Sequence, residues 1–566
     1  MAAGGTQRDV SRKSIALCVL TASITASQSV HAQVRPDAGQ TLESVRPAPT
    51  LPSRNPAAAL PVAEEARALS ASGTLLIPVT RWRITGATAF SDAELLSLVQ
   101  DRIGLELTLD DLNAAAARIT AYYREHGYLL ARAYLPAQDI RNGEVEIAVL
   151  EGRLAAVKVD NTSRLGASMV SEHVERIDTS GPLQGQDLER SLLLLNDLPG
   201  VEVRSTLQPG ATVGTSDLDL RVRGARGLDG SVDADNYGNR YTGELRAGGT
   251  LNVNTPLRRG DLFTLRASTA GSGMTYGRAA WQTPLGGDGW QVGIPWSDLR
   301  YELGEDFESL DADGDAQVGT LWAAYPILRS QARNLSVRFA YDDKRLNDRI
   351  DAVSSNARKS LDVWTVGFTG DRSDTLGGGG LTTYGFDLVG GRLKLDPRST
   401  AIDQSAGGHD TEGSYGKVAL NVSRLQRLSN HWLLYAGLSG QASSKNLDTS
   451  ERQSLGGIYG VRAYPQGEAP GDAAAIVNLE LRWQLPGLPE TQVLAFVDAG
   501  TVWVNHSALA TDGDNRRSVS GEGLGVQWLW PESFALKAYV AWRSGPEPTS
   551  DKDRQPRFWM QLAQYF

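Results

Sequence analysis

Few residues in this chain have the type and spacing to do covalent or metal chemistry. Its six histidines, His31, His126, His173, His409, His431 and His506, are scattered, and no two stand where imidazoles share a metal ion. The single cysteine, Cys18, lies at the extreme N-terminus. Asp311-Ala312-Asp313-Gly314-Asp315 has a calcium-like look, but its glycine comes one place early for an EF-hand loop, so an acidic solvated loop is expected. Gly521-Glu522-Gly523-Leu524-Gly525 sits in a strand pattern and reads as strand glycines, not as a nucleotide cradle. There is no G-x-S-x-G elbow and no Walker P-loop. The expectation is a protein that is not an enzyme and holds no cofactor and no metal. One charge does stand in a telling place. In the segment Thr491 to Gly500, Val493, Ala495 and Val497 share one face, and Phe496, Asp498 and Gly500 share the other. Where that strand sits decides what Asp498 can do.

The elements around it are legible from the N-terminus onward. Arg8, Arg12 and Lys13 precede an apolar run from Ile15 to Ile24, and Val30-His31-Ala32 puts small residues at the positions a signal peptidase reads. Residues 1–32 are expected to be a signal peptide, and the mature chain then has no cysteine, so no disulfide or thiolate metal site. Residues 33–78 are rich in Pro, Ala, Ser and Arg and read as linker, with Gly39 to Val45 capable of a short helix. Residues 79–152 read strand, helix, helix, strand, strand. Arg81-Trp82-Arg83-Ile84 is extended; Ser91 with Glu94, and Thr108 with Asp111, are capping-box patterns. Gly127 is placed to end the second helix. Strands are expected at Leu129 to Leu135 and Val145 to Leu150, with Asn142-Gly143 turning between them. Residues 153–224 repeat the plan, with the Leu188, Leu192, Leu195 stripe as a helix.

From Leu228 the texture changes. Twelve of the thirteen tryptophans fall here, and strand-length segments alternate with period two. Val477, Leu479, Leu481 and Trp483 oppose Asn478, Glu480 and Arg482; Leu536, Ala538, Val540 and Trp542 oppose Lys537, Tyr539 and Arg543. No run of eighteen apolar residues follows the N-terminus, which excludes helical membrane spans. Short links such as 486–490 and 531–533 take turns with long ones at 344–359, 394–412, 441–472 and 501–519. That rhythm predicts, over residues 228–566, an all-β transmembrane β-barrel of about sixteen antiparallel strands. Trp281, Trp290, Trp432, Trp503, Trp528 and Trp530 fall near strand ends, as an interfacial girdle requires. Lipid does not tolerate Asp498, so its face must line the lumen. With 66 acidic against 56 basic residues, a nucleic-acid partner has little support.

Several motifs carry a family resemblance. Tyr123-Arg124-Glu125-His126-Gly127-Tyr128, then Pro136 and Gln138, then Glu151-Gly152-Arg153, resemble the POTRA signature of the outer-membrane transporters of two-partner secretion. These are the haemolysin and filamentous-adhesin exporters of the Omp85 superfamily. Asp235-Asn236-Tyr237-Gly238 with Thr242-Gly243 resembles their first hairpin, and Asp37-Ala38-Gly39-Gln40 is similar to their N-terminal plug helix. Val461-Arg462-Ala463-Tyr464 resembles the VRGY tip of loop six, and Phe496-Val497-Asp498-Ala499-Gly500 fits the F-x-D-x-G strand motif. Ala463 stands where the family has Gly; were positive φ needed there, Ala would strain it by about 1 kcal/mol.

The resemblance implies two N-terminal periplasmic α+β POTRA domains, 79–152 and 153–224, ahead of the barrel in the bacterial outer membrane. It implies that Arg462 pairs with Asp498 inside the lumen. It also implies that Tyr123, Gly127, Tyr128, Pro136 and Gln138 serve partner recognition. The function so implied is recognition and secretion, with activation as a further option, of a large exoprotein bearing an N-terminal secretion domain. Outer-membrane lipid is the other partner, and a monomer is expected. Two rivals stay open: a barrel-assembly insertase of the same superfamily, and a passive diffusion porin. Only two modules fit before the barrel, which favours an exporter over an insertase, and a simple pore has no use for modules.

Overall fold

A computed structural model describes residues 35–45 and 76–566. The expected signal peptide and most of the linker lie outside the described residues. The helix Ala38–Ser44 begins where Asp37 accepts from the backbone N–H of Gln40 (3.0 Å), as an N-cap aspartate does.

Two α+β modules follow. In the first, strand Glu144–Leu150 is central, parallel to Arg81–Thr85 and antiparallel to Arg132–Tyr134. Helix Leu109–Glu125 starts in a complete Thr108/Asp111 capping box and lays Leu112, Ala116, Ile119 and Tyr123 on that sheet. The strand expected over Leu129 to Leu135 is only three residues long. Tight backbone bonds, Tyr128 N to Tyr123 O and Ala131 N to Tyr128 O, hold the preceding residues in a turn. The second module repeats the sheet order with Arg153–Asn161, Thr215–Gly224 and Val201–Pro209. The modules are joined by Gly185 N to Gly127 O (2.8 Å) and Leu183 N to Gly152 O (2.9 Å). The second sits on the barrel rim through an Arg329–Asp197 fork (2.6 and 2.7 Å).

Sixteen antiparallel strands then close on themselves, the first (Leu228–Asp235) pairing the last (Arg557–Tyr565). Because the modules lead into strand one, its start marks the periplasmic rim, and an even count returns Phe566 there. Outward residues of neighbouring strands, such as Leu479, Leu481, Val497, Leu524 and Trp542, are apolar and exposed, which makes a lipid-facing wall. Trp290, Trp432, Trp483, Trp528 and Trp530 lie toward the periplasmic ends and Trp503 at an outer end.

The long link expected at 344–359 shrinks to the four residues 351–354. Strands seven (Arg333–Ile350) and eight (Ser355–Asp374) pair up to it, Lys344 to Leu361 and on to Ile350 to Ser355. A strand of 20 residues is ~66 Å long, against an apolar band of ~25 Å. The charged residues there belong to strands that have left the membrane. For the same reason Asp313 and Asp315 lie in strand six (Ala312–Arg329), beside Arg349 and Asn347 of strand seven, rather than in a solvated loop. Among the described residues no His/Cys/Asp/Glu group has metal-site geometry. The loop expected at 501–519 is shorter, spanning 504–515 between strands thirteen (Thr491–Trp503) and fourteen (Arg516–Trp530).

Candidate functional site

The sixth outer loop, residues 444–472, does not project outward. It folds into the barrel, where Val461, Arg462, Ala463 and Tyr464 are buried against Phe496, Tyr539 and Trp559 of the inner wall. Its neck is a two-residue ladder, Gln453 to Gly471 and Ser454 to Pro470. Val461 N returns to Leu455 O (2.8 Å), so the tip is a compact hairpin.

Arg462 is the centre of the site. Its guanidinium grips Asp498 with Nε to Oδ2 and Nη2 to Oδ1, both 2.8 Å, and its own backbone N–H adds a third bond to Oδ2 (3.1 Å). The remaining arm donates to Glu480 Oε1 at 2.6 Å. The Phe496 ring lies 3.6 Å beneath the guanidinium carbon, close enough for a cation–π contribution. Asp498 is 0% exposed and Arg462 4%. A buried pair of this kind is held only where further hydrogen bonds satisfy both partners, and here each guanidinium nitrogen and each carboxylate oxygen has one. Asn478 donates to Asp498 Oδ1 (2.7 Å) and to Gly460 O (2.9 Å), Arg482 neutralises Glu480 (2.6 Å), and Trp559 Nε1 donates to Arg462 O (2.7 Å).

Small residues make room for the tip. A Cβ at Gly500 would press on Leu455 and Val461, and one at Gly521 would overlap the Ala463 methyl. Ala463 is not among the residues with positive φ, so the strain that substitution threatened does not arise. Tyr464 OH donates to Pro546 O (2.7 Å), tying the tip to the eighth loop.

The helix Ala38–Ser44 lies in the outer half of the same lumen. Lys359 Nζ bridges Asp37 of the helix and Asp448 of loop six, each at 3.0 Å. Asp348 of strand seven receives the helix N–H of Ala38 (2.8 Å). A Cβ at Gly39 would strike the backbone of Ser450, so helix and loop six touch directly.

The module residues assigned to recognition separate into two groups. Tyr123 is fully buried, and its hydroxyl donates to Glu151 (2.8 Å). Gly127 (φ 91°) ends its helix and accepts from the second module, and Tyr128 reaches Gln184 of that module (3.3 Å). These three hold the core and the inter-module joint, and Tyr123 presents no exposed surface in this structure. The Glu151 carboxyl is pushed up by burial, but bonds from Thr88, Ala89 and Tyr123 outweigh this and hold it below the ordinary value. Burial and that carboxylate together push the Tyr123 phenol up.

Pro136 and Gln138, by contrast, line an open groove of about 690 Å³ with Leu76, Leu109, Leu112 and Ile140. The Gln138 amide bonds both ways to Glu146, Nε2 to its O (2.8 Å) and Oε1 from its N–H (2.7 Å). A side chain there occupies ladder positions that strand Arg132–Tyr134 is too short to reach.

Residues 214–528 match the family of the haemolysin secretion/activation protein ShlB/FhaC/HecB, and residues 77–152 match the ShlB-type POTRA domain. The chain belongs to that family. It is 27% identical over 483 residues to the heme/hemopexin transporter protein HuxB of Haemophilus influenzae, covering 84% of each chain. With the outer membrane transporter CdiB of Dickeya dadantii it shares 26% over 451 residues, 75% of this chain and 77% of that one. The structure of CdiB from Escherichia coli superposes with a TM-score of 0.70 at 21% identity, covering 94% and 96%, which shows a common fold. The protein is thus an outer-membrane transporter of two-partner secretion, with POTRA modules in the periplasm and a secreted exoprotein as its partner.

Sequence reasoning found the Arg462–Asp498 pair but missed Glu480 as the second acid, Trp559 as the donor to the tip backbone, and Lys359 as the tie to the helix. Glu480 and Asn478 were visible as the polar face of their strand. Trp559 and Lys359 had no such signal, since only closure of the barrel brings them near.

Proposed function

We propose that this transporter exports one large exoprotein through the single lumen described above, acting as a lipid-embedded monomer without a cofactor. The signal peptide through Ala32 and the linker 33–78 deliver the helix Ala38–Ser44 to the lumen. Modules 79–152 and 153–224 meet the partner first. The groove at Pro136 and Gln138, beside the unpaired part of strand Glu144–Leu150, suits an extended, unfolded N-terminal secretion domain adding its backbone to the sheet edge. The chain then threads the lumen as the helix leaves and loop six shifts off Asp498. Folding outside, worth about 5–15 kcal/mol for a typical domain, keeps it from returning.

The observation that supports this reading is the resting lumen itself. Two separate elements, the helix and loop six, fill it, and each is fastened to the wall by ion pairs. Deleting the gene tests the proposal: one large protein should vanish from the culture medium while other barrel proteins keep their levels. General loss of barrel proteins would make it an insertase, and an unchanged medium would also overturn the reading.

A further inference from the structure

Besides its tip and the Asp448–Lys359 contact shared with the helix, loop six meets the wall at two further places, and neither belongs to the tip or strand motif. Glu451, at the inward bend of the loop, is buried between two ammonium groups. Lys344 of strand seven reaches Oε1 at 2.6 Å, and Lys417 of strand ten (Gly413–Arg427) reaches Oε2 at 2.7 Å. Lys417 also donates to the Glu451 carbonyl (3.0 Å). On the returning limb Glu468 is fully buried. Its Oε1 accepts from the backbone N–H of Thr549 (2.9 Å) and its Oε2 from that of Ser550 (2.8 Å), both in loop eight, and Arg517 of strand fourteen pairs with it. Its backbone carbonyl meanwhile takes Leu455 N (2.9 Å) and Gly456 N (3.1 Å), at the base of the tip hairpin.

The charges alternate. The loop sets acids on cations at strands seven, eight and ten, a cation on acids at strands twelve (Ala473–Gln484) and thirteen, and an acid on a cation at strand fourteen. Seats spread around the wall define the height and the tilt of a hairpin, whereas one seat lets it pivot. A loop shifted along the wall would set like charges together, which costs rather than gains. Buried charges at each seat also make partial withdrawal unfavourable, because parting a buried ion pair leaves a buried charge without its partner.

We propose that Glu451 and Glu468 are positioning residues for export. They seat loop six at two further points, so that the Arg462 tip meets Asp498 in one pose and the loop leaves the wall as a unit. The proposal rests on the reading of loop six as a moving part.

The mature chain, expected to lack cysteine, allows a single reporter. Val461→Cys buries a thiol in the tip, and its reaction with a maleimide on the intact full-length transporter in outer membranes reads undocking. Rates and exoprotein release are normalised to heat-modifiable, folded barrel. Glu451→Gln and Glu468→Gln should each raise the labelling rate about tenfold or more and lower export, as loss of a buried ion pair requires. Glu451→Lys should be worse, and combining it with Lys344→Glu and Lys417→Glu should restore slow labelling, which repair of a merely structural defect would not do. Parent-like labelling in both Gln variants, with Asp498→Asn labelling fast, would overturn the two seats while leaving loop six as the moving part. Parent-like labelling in all three would remove that part's role as well.

Discussion

Removing Asp498 should release the tip of loop six, and the size of the effect follows from what Asp498 holds. Its two oxygens accept four bonds: Arg462 Nε and Nη2 at 2.8 Å, Arg462 N at 3.1 Å and Asn478 Nδ2 at 2.7 Å. Asp498→Ala deletes all four and leaves a buried guanidinium. Breaking one side of a buried pair costs about 3–5 kcal/mol. Glu480, 2.6 Å from Nη1, and the Phe496 ring remain to hold the charge, so the low end applies. About 3 kcal/mol corresponds to roughly a 150-fold shift toward the undocked loop. Asp498→Asn keeps one carbonyl acceptor but loses the charge and puts an NH2, which cannot accept, in place of the other oxygen, so it should cost about 2 kcal/mol, or roughly thirtyfold. With the Val461→Cys reporter, maleimide labelling should rank parent, Asn, Ala, and exoprotein release should fall in the same order. The barrel should still run as a folded, heat-modifiable species, since its sixteen-strand ladder does not pass through this side chain. Labelling and release in Asp498→Ala that match the parent would refute the reasoning, because a free tip cannot be as protected as a docked one.

Tyr123→Phe removes the hydroxyl bond to buried Glu151 and should destabilise the first module by about 1–3 kcal/mol, read as faster amide exchange of residues 79–152 in the full-length protein; unchanged exchange would contradict it. The same carboxyl predicts an acid limit. Its folded pKa lies below the ordinary value, so the native module binds fewer protons than the unfolded one. The stability it adds is complete above the unfolded carboxyl value, about 4.3, and is lost as pH falls through the folded value. Glu151→Gln should flatten that acid-side slope in the exchange measurement, and an equally steep slope would count against the assignment. Lys359→Met cuts the bridge between Asp37 of the helix and Asp448 of loop six and should raise single-channel conductance in planar bilayers; parent-like conductance would mean the helix is held by other contacts.

The parts of the fold that were readable from sequence are those where a local pattern and its surroundings agree. The N-cap of Ser91 and the full capping box at Thr108 start helices at Asp92 and Leu109, because a side-chain cap acts within one turn; the Glu94 side chain, expected to close a box at Ser91, takes the Tyr122 hydroxyl instead. Period-two alternation placed Asp498 and Glu480 on the inner wall and Val497 and Leu479 on the lipid side. Where local pattern and environment diverge, the reading slipped. Lys344 to Ile350 and Ser355 to Lys359 are as polar as a loop and yet are strand, because sheet above the membrane has no lipid to demand an apolar face. Period two persists there on the inner side alone, where Leu346 and Leu361 pack with the helix Ala38–Ser44. A signal confined to one face is easily taken for none.

The site divides along the same physical line. Arg462 and Asp498 are 36 residues apart and each lies in a distinctive motif, so their meeting was legible. Gly500 and Gly521 show why the motif has the residues it has: the wall gives up two Cβ atoms so that Leu455, Val461 and Ala463 can lie against it. Tyr123 marks the opposite case. A distinctive tyrosine in a signature invites a recognition role, and in this structure it is buried with its hydroxyl on Glu151, holding the module's core. Exposure separates the two kinds of signature residue, and sequence spacing carries no direct record of it. Gln138 keeps its place among recognition candidates for that reason. Its amide stands in for a missing strand at Glu146, in a groove open to solvent, and a backbone that offers the same two bonds in register can take its place.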